Sequence, residues 1–290
     1  MSNDYKKWIY LITLAIIWGS SFILIKKSLI GLTPIQLGAL RTFIAGIFVL
    51  LIGSSSLKKI KKFQWKYIIV SSLLGTLFPA FFFAFAITGI DSSVASILNS
   101  LTSLNALIVG TLFFGVVFKR VQLFGVLIGL AGTIILIMES SSLNPNQNYW
   151  YAVFVLTASL GYAFNVNIIK KYLSDIPAMS ITAGHFILLI FPVLLILIFS
   201  GFFTSVEFTP QTNSSLIYLI ILSVVGTGLA KIMFNKLIQI SSPVFSTSVA
   251  YLIPIVAIIW GFIDGEKVSY LQLLSGIIIL TGIYVVNKVK

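Results

Sequence analysis

Ten apolar segments recur along the whole chain, and most hold about 18 or more residues. They run Trp8–Ile25, Ile35–Ile52, Tyr67–Ile90, Val94–Val117, Val121–Met138, Trp150–Ile169, Ala178–Phe203, Leu216–Ile238, Pro243–Ile263 and Tyr270–Val286. Each is long enough to cross a hydrocarbon core of about 30 Å as a helix. With 58% hydrophobic and 9% charged residues, the chain departs far from the roughly 25% charged residues of soluble domains. Barrel strands would alternate over about ten residues, and that pattern is absent. The expected fold class is an all-α integral membrane protein.

The segments are joined by short turn-rich connections such as "GLTP", "GIDSS" and "SSSLNPNQN", so no soluble domain is expected. The first segment is too long for a signal-peptide core and lacks a small-residue cleavage site. It reads as the first span. There is no cysteine, which excludes disulfides and thiolate metal sites and leaves the redox compartment unread. No metal or cofactor is expected. The net charge of +12 reads as basic cytoplasmic loops rather than a nucleic-acid surface. With the N-terminus inside, fourteen of nineteen cations fall inside, from Lys6 to Lys290. Lys26, Lys27 and Lys267 fall outside, and Arg41 and Lys231 lie within spans. Both termini are therefore expected in the cytoplasm.

The second half echoes the first. At an offset of 150, Gln122 meets Gln272, Gly132 meets Gly282, Ser96 meets Ser246 and Gly115 meets Gly265. One residue of slip aligns Gly75-Thr76 with Gly226-Thr227. Residues 1–140 and 149–290 are expected to form two five-helix repeats. An odd number of spans per repeat makes the copies upside down to each other, an architecture recurrent in secondary transporters.

These residues carry a resemblance. Trp18-Gly19-Ser20-Ser21-Phe22, Arg41 after Pro34, Pro254, Gly265-Glu266 and the closing Gln272…Gly276…Gly282 pattern are similar to EamA-type members of the drug/metabolite transporter superfamily. The likeness covers essentially the whole chain. It departs in the first copy, where Leu104 stands opposite Pro254 and Val116 opposite Glu266. The resemblance implies ten transmembrane helices as two inverted repeats around a central cavity. It says little about the substrate.

An ionisable residue within a span marks a functional site by default. Arg41, in the outer third of the second span, belongs either to a polar interior or to a structural role, snorkelling outward or satisfying carbonyls. Lys231 has the same two readings. His185, the single histidine, either packs through hydrogen bonds or carries a proton. In the fourth span Ser92, Ser96, Asn99 and Ser103 fall at helical spacing, with Ser100 beside them. Lipid offers such groups no partner, so this stripe should face protein or a wet cavity. Trp18, Tyr162, Asn165 and Tyr251 complete the substrate-binding candidates, with Arg41, Asn99, Ser103, His185 and Lys231. Pro79 and Pro254 are hinge candidates, since proline frees a carbonyl and permits a kink. Gly125, Gly129, Gly132, Gly276 and Gly282 would let the fifth and tenth spans pack closely or form a homodimer.

The function read from these features is a secondary transporter of small organic solutes in a bacterial-type inner membrane, working by alternating access. No phosphate-binding loop is present, so this chain is not expected to use ATP. A lipid-linked substrate flippase or a passive facilitator is the alternative. A membrane enzyme has little to build from. All seven acids lie at or near span ends or in loops, and with cations deeper the expected solute bears a carboxylate or another anionic group. Lipid and this solute are the expected partners.

Overall fold

A computed structural model describes residues 3–116, 120–207 and 209–288. Val117, which ends the fourth apolar segment, and Lys119 and Lys290, two of the inside cations, lie outside the described residues. Among those described, every regular element is helical. Nine helical stretches are long and apolar enough to cross a membrane, and Tyr270–Gly282 is a shorter apolar helix. Large apolar side chains such as Leu51, Phe191 and Phe199 are exposed, as lipid-facing surface requires. Trp150 and Tyr270 sit exposed at helix starts, where amphipathic rings suit a membrane interface.

The first helices are α1 (Asn3–Ser28) and α2 (Pro34–Gly53). A capping box opens α2: Thr33 Oγ1 accepts from Gln36 N, and Gln36 Oε1 accepts from Thr33 N. That arrangement satisfies donors which lipid would leave bare.

The third span is three pieces: α3 (Trp65–Ser72), a π segment (Leu73–Leu77) and α4 (Phe78–Gly89). Pro79 stands in the first turn of α4. Its ring cannot follow a regular α turn without a clash, and the widened π turn before it provides the room. The fourth span divides into α5 (Ser92–Asn99) and α6 (Thr102–Phe114), with α7 (Arg120–Leu143) after it.

Next come α8 (Ala152–Tyr172), α9 (Ala178–Phe199), a single turn α10 (Phe202–Ser205) and α11 (Pro210–Ile221). A second π segment (Leu222–Leu229) leads into α12 (Ala230–Ile240). The chain closes with α13 (Pro243–Thr247), α14 (Val249–Ile263), in which Pro254 is buried, and α15 (Tyr270–Lys288).

Helices from early in the chain pack on helices from late in it: α1 on α14, α2 on α9, α4 on α8 and α7 on α15. The α7–α15 seam explains the glycines. A Cβ at Gly282 would stand 2.5 Å from the Gly125 carbonyl oxygen, and one at Gly132 would stand 2.9 Å from Ile279. Those glycines thus serve close packing of the two helices within one chain.

One end of the molecule is tied by charge. Lys26 Nζ lies 2.7 Å from Asp264 and 2.9 Å from Glu266, and Lys27 also pairs with Asp264. Glu266 caps α5 as well, accepting from the backbone N–H and the hydroxyl of both Ser92 and Ser93 at 2.6–3.1 Å. Another lysine pair, at the end of α8, makes different bonds. Lys170 donates to the Ile238 and Ser241 carbonyls, and Lys171 to the Phe114 carbonyl.

Candidate functional site

A cavity of about 90 Å³ lies among α1, α2, α4, α5, α6, α8, α12, α13, α14 and both π segments. That volume holds a few waters, against the roughly 300 Å³ or more of a typical small-molecule pocket.

Arg41 is buried on α2 and lines the cavity. Its Nε donates to Thr227 Oγ1 at 2.6 Å, and its terminal nitrogens donate to no described residue. Lys231 is also buried on the cavity wall, and its Nζ donates to the Gly75 carbonyl. Neither side chain reaches outward in this structure. Among the described residues, neither cation is within ion-pair distance of a carboxylate.

Trp18, Asn99, Tyr162 and Asn165 share the same wall. Trp18 Nε1 donates to the Gly226 carbonyl at 3.0 Å, so its depth reflects a cavity position and not an interface belt. Asn165 Oδ1 accepts from Ser71 at 2.6 Å. It presses against Gly75 where any Cβ would collide, so the glycine is needed for this close approach. Aromatic rings make the rest of the surround: Trp18 on Phe234 with centroids 4.9 Å apart, Phe22 on Phe83 at 5.5 Å, and Phe83 on Tyr162 at 6.1 Å.

Other expected residues fall elsewhere. The serine stripe does not face the cavity as a unit, because the helix breaks in its middle. Ser100 N and Leu101 N bond three residues back, to the Ile97 and Leu98 carbonyls, and Ser96 and Ser100 return their hydroxyl protons to the chain. Only Asn99 of the stripe lines the cavity. Ser103 donates to the Thr247 carbonyl at 2.7 Å, joining the α5–α6 break to the α13–α14 break, and Tyr251 is paired with Ser103 there. His185 is fully buried off the cavity, with both ring nitrogens lacking a partner among the described residues.

Sequence reasoning missed Thr76 and Thr227, which both line the cavity. The available signal was the repeated Gly-Thr pair, taken as a mark of the repeat alone. Both pairs sit in the two π segments, and π turns concentrate at functional sites.

The model of the EamA-like transporter family matches this chain twice, over residues 6–138 and 149–288. The chain belongs to the EamA-like transporter family. Its relatives include the uncharacterized inner membrane transporter YedA of Escherichia coli (strain K12), 27% identical over 283 residues that span 95% of this chain and 89% of YedA. The uncharacterized transporter YvbV of Bacillus subtilis (strain 168) is 23% identical, over 94% of this chain and 89% of its own. A solved crystal structure superposes with a TM-score of 0.65 over 98% of this chain and 96% of its own, at 16% identity, which shows a shared fold. This EamA-like protein is an integral membrane transporter, and the cavity is its candidate solute site.

Proposed function

We propose that this EamA-like protein is a secondary transporter that moves small organic solutes by alternating access. In this reading ten spans form two inverted five-helix repeats, residues 1–140 and 149–290, and they rock about the cavity. Both termini lie in the cytoplasm of a bacterial-type inner membrane, the location that YedA's name gives for that relative. One observation carries the reading: a buried cavity, lined by residues from early and late in the chain, holds two cations without a carboxylate. The pairing of early with late helices supports motion of one half against the other. The cations support a solute that bears a carboxylate, because a buried unpaired charge is costly until a counter-charge arrives.

The test is flux in proteoliposomes. Saturable uptake that an internal solute accelerates is the mark of a carrier. Flux that rises linearly with concentration would return the chain to the passive-facilitator reading, and movement of lipid-linked solutes alone would make it a flippase.

A further inference from the structure

The two π segments are held from across the cavity by the same groups that would meet a solute. Lys231 Nζ holds the Gly75 carbonyl of the first segment. Arg41 Nε holds Thr227 Oγ1 of the second, and Trp18 Nε1 holds the Gly226 carbonyl beside it. A π turn leaves the regular hydrogen-bond register of the helix. Thr227 Oγ1 gives its own proton to the Leu222 carbonyl, five residues back, and so meets Arg41 as an acceptor.

Two features of the cavity point to a missing acceptor. Thr76 is the first segment's counterpart of Thr227. It lines the cavity, and its buried Oγ1 has no partner among the described residues. The terminal nitrogens of Arg41 likewise donate to no described residue. Arg41, Lys231 and Thr76 together therefore offer donors to one cavity whose described lining includes no Asp or Glu.

Chemistry decides what would take them. An ammonium bound to a neutral carbonyl gains little by exchanging it for the carbonyl of a neutral solute. A hydrogen bond between two ionised groups is shorter and roughly twice as strong, so a carboxylate displaces the Gly75 carbonyl where an amide does not. A cationic solute meets two like charges. The aromatic wall of Trp18, Phe22, Phe83, Tyr162 and Phe234 suits an apolar or aromatic body.

We infer that the solute is an organic anion with an apolar body, and that its oxyanion takes Lys231 and Arg41 from the Gly75 carbonyl and the Thr227 hydroxyl, freeing both π segments to move. This rests on the transporter reading above and its anionic solute, and adds the apolar body, the donors that meet the oxyanion and the trigger for motion. Loading then loosens the two spans that Lys231 and Arg41 tie across the cavity. Thr76 is a third donor to the oxyanion, and Arg41 contributes a fork geometry that lysine cannot copy.

The experiment uses the purified full chain with benzoate, hexanoate and indole-3-acetate as probes, beside benzamide, hexanamide and benzylamine. Thermal unfolding reads binding, and amide hydrogen exchange reads residues 73–77 and 222–229. At least one carboxylate is expected to raise Tm and to speed exchange in both segments, while the amides and the amine do neither. Lys231→Met is expected to abolish both effects. Arg41→Lys should weaken binding about tenfold, the factor for about 1.4 kcal/mol, and Thr76→Val, the mildest change, should weaken it several-fold. His185→Gln should leave binding unchanged.

A shift with an amide or the amine and with no carboxylate overturns the proposal, as does no shift with any carboxylate. Carboxylate binding that leaves exchange unchanged or slowed in both segments overturns the unlocking. Flux of entrapped metabolite extract separates this from the transporter reading. Saturable flux that carboxylates do not compete sinks the anion alone, whereas linear flux sinks the transporter reading.

Discussion

Lys26 and Glu266 stand 240 residues apart in the chain and meet with 2.9 Å between Nζ and Oε1. The contact draws the end of α1 onto the loop between α14 and α15, and Glu266 passes the connection on to the start of α5 through Ser92 and Ser93. Three elements of this end therefore depend on one buried carboxylate. Glu266→Gln keeps the shape of the side chain and removes its charge. The loss should be about 2 kcal/mol, the scale of hydrogen bonds to a charged group. Thermal unfolding of the detergent-solubilised chain measures it, and an unchanged Tm would show that the contact carries no stability.

The same carboxylate sets a pH dependence. Burial raises its pKa, yet hydrogen bonds from Ser92, Lys26 and Ser93 outweigh that and hold Glu266 below its usual value of 4.5. Burial likewise opposes, and the Lys26 and Lys27 bonds likewise win, at Asp264. A carboxylate depressed in the folded state adds stability that is complete above its unfolded pKa and is lost as pH falls through the folded one. Asp91 nearby has the opposite sign, since burial holds it above 3.8 despite bonds from Gln147 and Asn144. Stability should therefore drop below about pH 4.5, and Glu266→Gln should flatten part of that drop. A variant whose acid limb matches the parent would remove Glu266 from the effect.

Asn99 and its neighbours separate cavity from packing. The chain has no cysteine, so single cysteines report cleanly. Asn99→Cys should react with a small polar thiol reagent in membranes. Ser96→Cys and Ser103→Cys should stay protected, because those hydroxyls are buried on carbonyls of the Ser93 and Thr247 peptides. Equal reactivity at all three would mean that the whole stripe faces water in another conformation.

The α7–α15 seam gives a packing prediction. Gly282→Leu would force a side chain against the backbone of Gly125 and Gly129. Overpacking of this kind costs about 1–3 kcal/mol, and the separated helices should show as lower Tm with fewer folded molecules after solubilisation. Gly276→Ala, where a Cβ would come no nearer than 3.8 Å to Ile97, is the neutral control.

Topology is tested by reporter fusions. A reporter after Lys62 is expected in the cytoplasm, and one placed between residues 144 and 148 on the other side. Signals from the same side would contradict an odd number of spans between them, and the inverted arrangement with it.

Much of the cavity was legible because charge in an apolar run is rare. Arg41 and Lys231 stand out against their neighbours, and both reach the cavity with Trp18, Asn99, Tyr162 and Asn165. Thr76 and Thr227 were not legible as site residues, since a threonine in a span commonly bonds its own helix. Both sit in π segments, which meet residues from elsewhere in the chain, such as Lys231 at Gly75. The break after Asn99 was hidden for a related reason. Its serines keep helical spacing through the break, which shows in the backbone bonds of Ser100 and Leu101 three residues back. The length and apolarity of the spans carried the fold class directly, because lipid admits so few backbone solutions.

The two lysine pairs make the ends of the molecule chemically unequal. Lys26 and Lys27 hold carboxylates, which a proton can neutralise and dissolved ions can screen. Lys170 and Lys171 hold peptide carbonyls, which carry no net charge to neutralise. Acid or concentrated salt would therefore loosen the partly buried contacts of Lys26 and Lys27 far more than those of Lys170 and Lys171, beside which the exposed Lys61–Asp175 pair shares the sensitivity. On the alternating-access proposal, the composition of the solution on one side would then bias which way the carrier faces. Salt added separately to each face of oriented proteoliposomes, with solute exchange as the readout, would reveal that bias as a rate change from one side only.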